Sequence, residues 1–146
     1  MEISAVRQQM LLAIERAKRA ALDRRAANDA AARQYGVFLD QVAVPLFRQA
    51  ANVLRAEGYF FSLFTPGGSV RLMSDKSADD FIELVLNASG RVPSLMGRTS
   101  RAWGNRTDIS EQPLKPSVPI GEITEEDVLA FLLKALEPFV EKSAGR

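Results

Sequence analysis

Before Gly36 the chain contains neither glycine nor proline. Those two residues break helices most strongly, and the stretch without them is built largely from Ala, Leu, Arg, Gln and Glu, all good helix formers. Residues 2–57 therefore read as almost unbroken helix. Within residues 2–34, Ile3, Val6, Met10, Ala13, Ala17, Ala20, Ala27 and Ala31 recur at alternating spacings of three and four, with Arg24 as the one interruption. That is the period of a helix with a single apolar seam, the spacing that coiled coils use. Leu11, Ile14 and Leu22 are read as widening it.

A straight helix of this length spans about 50 Å. Its first half has apolar bulk, but from Ala17 onward the seam offers mostly alanine. Alanine buries little area, so such a seam stabilises only where another helix approaches closely; in isolation the helix is marginal. It calls for a partner, either the second helix of the same chain or a second copy.

Gly36 is expected to break the helix. Val37–Glu57 forms the next helical segment, striped by Leu39, Val42, Leu46, Ala50 and Val53. Pro45 cannot donate to the carbonyl of Gln41, which predicts a kink or the first turn of a new helix there. Gly58 supplies the stop.

The character then changes. Tyr59–Phe64 reads as a strand, Pro66-Gly67-Gly68 as a turn, and Ser69–Ser74 as a strand with Val70 and Leu72 on one face and Arg71 and Met73 on the other. Phe81–Asn87 is read as a strand with Ile82, Leu84 and Leu86 inward and Glu83 and Asn87 outward. The rival is a short helix capped over Ser77–Asp80 and stopped at Gly90; the β-branched and aromatic content favours the strand. Further strands are expected within Val92–Trp103 and Thr107–Leu114, with Gly97 and Gly104 at strand ends or a bulge. Thr124 caps a last helix whose first turn carries Glu125, Glu126 and Asp127, and Pro138 is expected to end or bend it.

The architecture that follows is α+β: a long N-terminal helical arm of one or two helices, an antiparallel β-meander of three to five strands, and a closing C-terminal helix. Residues 1–35 form the arm and 36–146 a compact domain. Tyr59, Phe60, Phe61 and Phe64 put aromatic groups on both faces of one strand. The expected cover is the N-terminal helices on one sheet face and the C-terminal helix on the other; the sharper reading leaves one face as an interface.

The 146 residues include no His and no Cys. Ser–His and Cys–His nucleophilic systems are thereby excluded, as are disulfides. Asp75, Asp79 and Asp80 lack the ordered spacing of a calcium loop and read as a polar turn, so no metal and no cofactor is expected. No run of apolar residues approaches the roughly 20 needed to span a bilayer, and the expected address is cytoplasmic. Residues 1–35 hold seven basic and four acidic side chains, whereas residues 111–146 hold four basic and seven acidic. Opposite signs at the two ends favour head-to-tail or self-association at low salt.

Two constellations remain. The first is the arm seam of Ile3, Val6, Met10, Ala13, Ala17 and Ala20, which implies a non-catalytic interaction or scaffold protein, a homodimer with a protein partner in prospect. The second is Arg91, Arg98, Arg101 and Arg106 with Trp103, a window without an acid. It implies, as the alternative, a nucleic-acid or anion binder. Against that stand a net charge of only +1 and the spacing of Arg98 and Arg101, which points them to opposite faces of a strand. An enzyme using carboxylates and a divalent metal is the third class and the weakest.

Overall fold

A computed structural model describes residues 1–89 and 92–144, the last of these by its backbone alone. The chain is α+β. Helix α1 (Ile3–Phe38) passes into a π-helical segment, Leu39–Ala43, and on into α2 (Val44–Ala56). Five strands follow, β1 (Phe61–Phe64), β2 (Val70–Ser74), β3 (Ser77–Asn87), β4 (Ser94–Trp103) and β5 (Arg106–Pro113), then a short 3-10 turn at Ile120–Glu122 and α3 (Glu125–Ala144).

The expected break at Gly36 does not occur: α1 runs through it. A glycine within a helix costs only about 1 kcal/mol, and Tyr35 and Phe38 on either side are both buried in the core, which offsets it. The disturbance falls instead at Pro45. Just ahead of it the Val44 N–H bonds to the Leu39 carbonyl, five residues back. The wider π turn accommodates the proline ring and its missing donor, and the helical path continues.

The sheet is a plain antiparallel meander in the order β1-β2-β3-β4-β5. Phe81–Asn87 is strand, within β3, and the helical rival is excluded. Val70, Leu72, Ile82, Leu84 and Leu95 line one face and belong to one buried core with Leu46, Phe47 and Leu54 of α2 and Val128, Leu132 and Phe139 of α3. Helix α2 packs on β1 and β2, α3 on β3 and β4, and the two helices touch. Both therefore cover the same face, which corrects the expectation of one helix layer on each side. Phe61 is buried with its ring edge-on to Phe139 at 5.6 Å, while Phe60 and Phe64 stay exposed.

Pro138 lies inside α3 and does not end it; the helix continues to Ala144. A polar clasp holds its last turn. Lys142 Nζ donates to Asp80 Oδ2 at 2.9 Å and to the Ala102 carbonyl at 2.8 Å, and Asp80 Oδ1 accepts the Ala102 N–H at 2.7 Å. At the other end of α3, Thr124 and Asp127 cap reciprocally, side chain to backbone. The amide of Thr124 and the cation of Lys115 hold the Asp127 carboxyl below its ordinary range.

Gly97 is neither a strand end nor a bulge; it sits inside β4, paired with Leu84 and Gln112. Among the described residues the one register shift lies between Met73 and Ser74. Gly97 faces α3, where a Cβ would come within 2.5 Å of the Phe131 ring.

Candidate interaction surface on the helical arm

Helix α1 has 36 residues, which at 1.5 Å per residue is about 54 Å. Only its last two turns join the core: Ala31 packs against it, and Tyr35 and Phe38 are buried in it. The Tyr35 hydroxyl donates to the Gly68 carbonyl. Burial, and secondarily the charge of Glu83, push its pKa up to about 12.

From Val6 to Ala27 every side chain is exposed. Ile3 is 88% exposed, Met10 60% and Leu22 63%, and Val6 and Ile14 are open as well. Among the described residues nothing of the chain's own globule covers them. At 100° per residue, Ile14 borders the Ile3–Val6–Met10 seam, whereas Leu11 and Leu22 lie about a quarter-turn or more away. They form a separate apolar line and do not widen the seam. The alanines at 13, 17 and 20 share the seam's face and are equally open. Ile3, Val6, Met10, Ala13, Ala17 and Ala20 are thus brought onto one side of one helix.

Sequence reasoning missed what lies at the arm's foot. Continuing the three-four spacing beyond Ala31 gives Gln34, Phe38 and Gln41. Those three residues line an apolar cleft of about 400 Å³, closed on its far side by Ile120 and Ile123. The spacing was the signal; the opposing wall comes from some 80 residues further along the chain and has no local signature.

The arginine constellation is dispersed. Arg91 lies outside the described residues. Arg98 and Arg101 point to opposite faces of β4, as their spacing implies, and each meets an acid from a neighbouring strand. Arg98 contacts Glu111 Oε2 at 3.1 Å and Glu83 Oε1 at 3.6 Å. Arg101 lies 3.7 Å from Asp108 and 5.4 Å from the Trp103 ring, and its Nε is buried without a hydrogen-bond partner among the described residues. Arg106 is exposed. The window without acids in sequence is thus a strand flanked by acids in space.

The aspartates also separate. Asp75 pairs with Arg55 at 3.6 Å, Asp80 is buried in the clasp with Lys142, and Asp79 is exposed. Among the described residues no group of three or more His, Cys, Asp or Glu side chains is placed to hold a metal ion. No helix among them is long and apolar enough to cross a membrane.

Comparison with protein-family models, with curated proteins and with solved structures returns no match.

Proposed function

We propose that this chain is a non-catalytic interaction or scaffold domain that self-associates through the seam of α1. The observation that carries the reading is the exposure of Ile3, Val6 and Met10 on a helix whose outer two-thirds touches no other element. A helix that long and isolated is marginal in water, and apolar side chains repeated on one side of it are stabilised by a matching surface. The compact domain then serves as the payload that the dimer presents. A cytoplasmic address is part of the proposal, supported by the absence of cysteine, which fits a reducing compartment.

The test is light scattering combined with sedimentation. The native chain is expected at twice 16.1 kDa. Val6→Asp with Met10→Asp should return it to the monomer mass without loss of the sheet's thermal transition, since both side chains are exposed. A native chain that stays monomeric at every accessible concentration would overturn the proposal.

A further inference from the structure

We infer that the two arms pair antiparallel, with the tip of each lying at the cleft beneath the other. The inference rests on the self-association proposed above and specifies its geometry. The register sets Ala17 against the partner's Ala20, which is a seam-to-seam layer in an antiparallel pair of heptad helices.

Side-chain size is the first argument. The seam is bulky at one end (Ile3, Val6, Met10) and small at the other (Ala27, Ala31). In the antiparallel register Met10 meets the partner's Ala27 and Val6 meets the partner's half-buried Ala31, so large side chains meet small ones, the two ends of the pair match in volume about a thinner Ala17–Ala20 centre, and the axes do not splay at one end. A parallel pair stacks Met10 on its own copy and Ala27 on its own copy. The axes would then have to diverge at one end or leave a gap at the other.

Charge is the second. Arg24 interrupts the seam. In a parallel pair it faces its own copy across a closing apolar contact, with both guanidinium charges desolvated together. The antiparallel register sets Arg24 against the partner's Ala13 and holds the two arginines about 16 Å apart along the axis. Beside the seam it aligns Arg16 with the partner's Asp23, and twofold symmetry makes that contact twice. Both side chains are exposed and free of ion pairs among the described residues.

The cleft is the third, and it is independent of the other two. The seam does not stop where the arm joins the globule but runs on through Gln34, Phe38 and Gln41 into an apolar recess walled by Ile120 and Ile123. The antiparallel register brings the partner's Ile3, 88% exposed in the lone chain, opposite Gln34 at the mouth of that recess. A parallel pair leaves both tips side by side in water and both recesses open.

The chain has no cysteine, so single labels are unambiguous. Spin labels at Gln8→Cys and, in a second sample, at Lys18→Cys report the orientation of the full-length protein by pulsed EPR. The antiparallel pair sets the two Gln8 backbones about 33 Å apart and the two Lys18 backbones about 10 Å apart, from a rise of 1.5 Å per residue and a helix separation of 8–10 Å, so the Lys18 labels must lie far closer together than the Gln8 labels. Short distances at both positions would mean parallel arms; that overturns this inference and leaves self-association standing. A dimer with long distances at both positions would also overturn it, since the arms would not be paired at all. A monomer mass with no intermolecular distance would overturn both proposals.

Discussion

Glu83 and Arg71 meet across the β2–β3 ladder with the carboxylate Oε2 2.8 Å from both Nε and a terminal nitrogen of the guanidinium. They belong to one cross-strand row, Phe64, Arg71, Glu83, Arg98 and Glu111, that crosses the helix-free face of the sheet. Charges of alternating sign on four adjacent strands satisfy one another where no helix can. Glu83, only 4% exposed, is the hub, with Ser69 Oγ donating to it at 3.2 Å. Glu83→Ala would leave two guanidiniums facing each other over a gap. The expected loss is about 2–3 kcal/mol, below the full buried-pair value because both arginines reach solvent. Glu111→Ala, at the exposed end of the row, should cost under about 1 kcal/mol. Urea denaturation of both variants checks the contrast, and equal losses would mean the row does not act through Glu83.

Tyr35 makes alkaline stability a measurable signature of the arm's anchor. Its folded pKa of about 12 lies above the ordinary tyrosine value of 10. The neutral hydroxyl is the form the fold favours, so its contribution is intact below pH 10 and is lost as pH rises through about 12. Tyr35→Phe keeps the ring in the core and removes the donor to Gly68. It should cost about 1 kcal/mol at neutral pH and flatten the decline in stability above pH 10. Thermal melts across that range, with the phenolate absorbance of the variant subtracted from that of the native chain, test both parts.

Gly97 exists to admit Phe131. With a Cβ 2.5 Å from the ring carbon Cε1, Gly97→Ala must push the ring, and α3 with it, off the sheet. The expected loss is about 1–3 kcal/mol. Adding Phe131→Leu, which alone also destabilises, should make the two changes less than additive, because the smaller side chain removes the clash. Strictly additive losses would place the ring elsewhere.

Most of the fold is legible in the sequence because its signals are local. Alternation at Val70–Leu72 and Ile82–Leu84 marks the strands, Pro66-Gly67-Gly68 marks a hairpin, and Thr124 with Asp127 marks the start of α3. The misses come from contacts made far along the chain. Glu83 alternates like a solvated residue and is buried only because the register delivers Arg71 and Arg98 on either side. Gly36 looks like a stop and is overruled by the burial of Tyr35 and Phe38. Gly97 looks like punctuation and is a packing site for a side chain more than thirty residues away. Which sheet face the helices share follows from no periodicity, since both faces of β1 carry aromatic groups. The arm seam was visible throughout, whereas the cleft it leads into needed Ile120 and Ile123 in place.

Arg24 offers a direct handle on the arm contact. It is exposed, so replacing it should change the stability of a lone chain by no more than about 0.5 kcal/mol. In the pair it sits in the seam and withholds apolar area at that layer. Arg24→Leu restores the stripe, and burying one leucine per arm is worth about 1.5–3 kcal/mol each. The dimer dissociation constant should therefore fall at least tenfold, with the monomer no longer detectable at the dilution where the native chain dissociates. A sticky surface could mimic that result, so Val6→Asp with Met10→Asp is added to Arg24→Leu. Specific pairing predicts that the combined variant is monomeric again, because one leucine cannot hold the arms once two layers carry charge. Sedimentation equilibrium on the three proteins decides it: an unchanged constant for Arg24→Leu would place that face of α1 outside the contact.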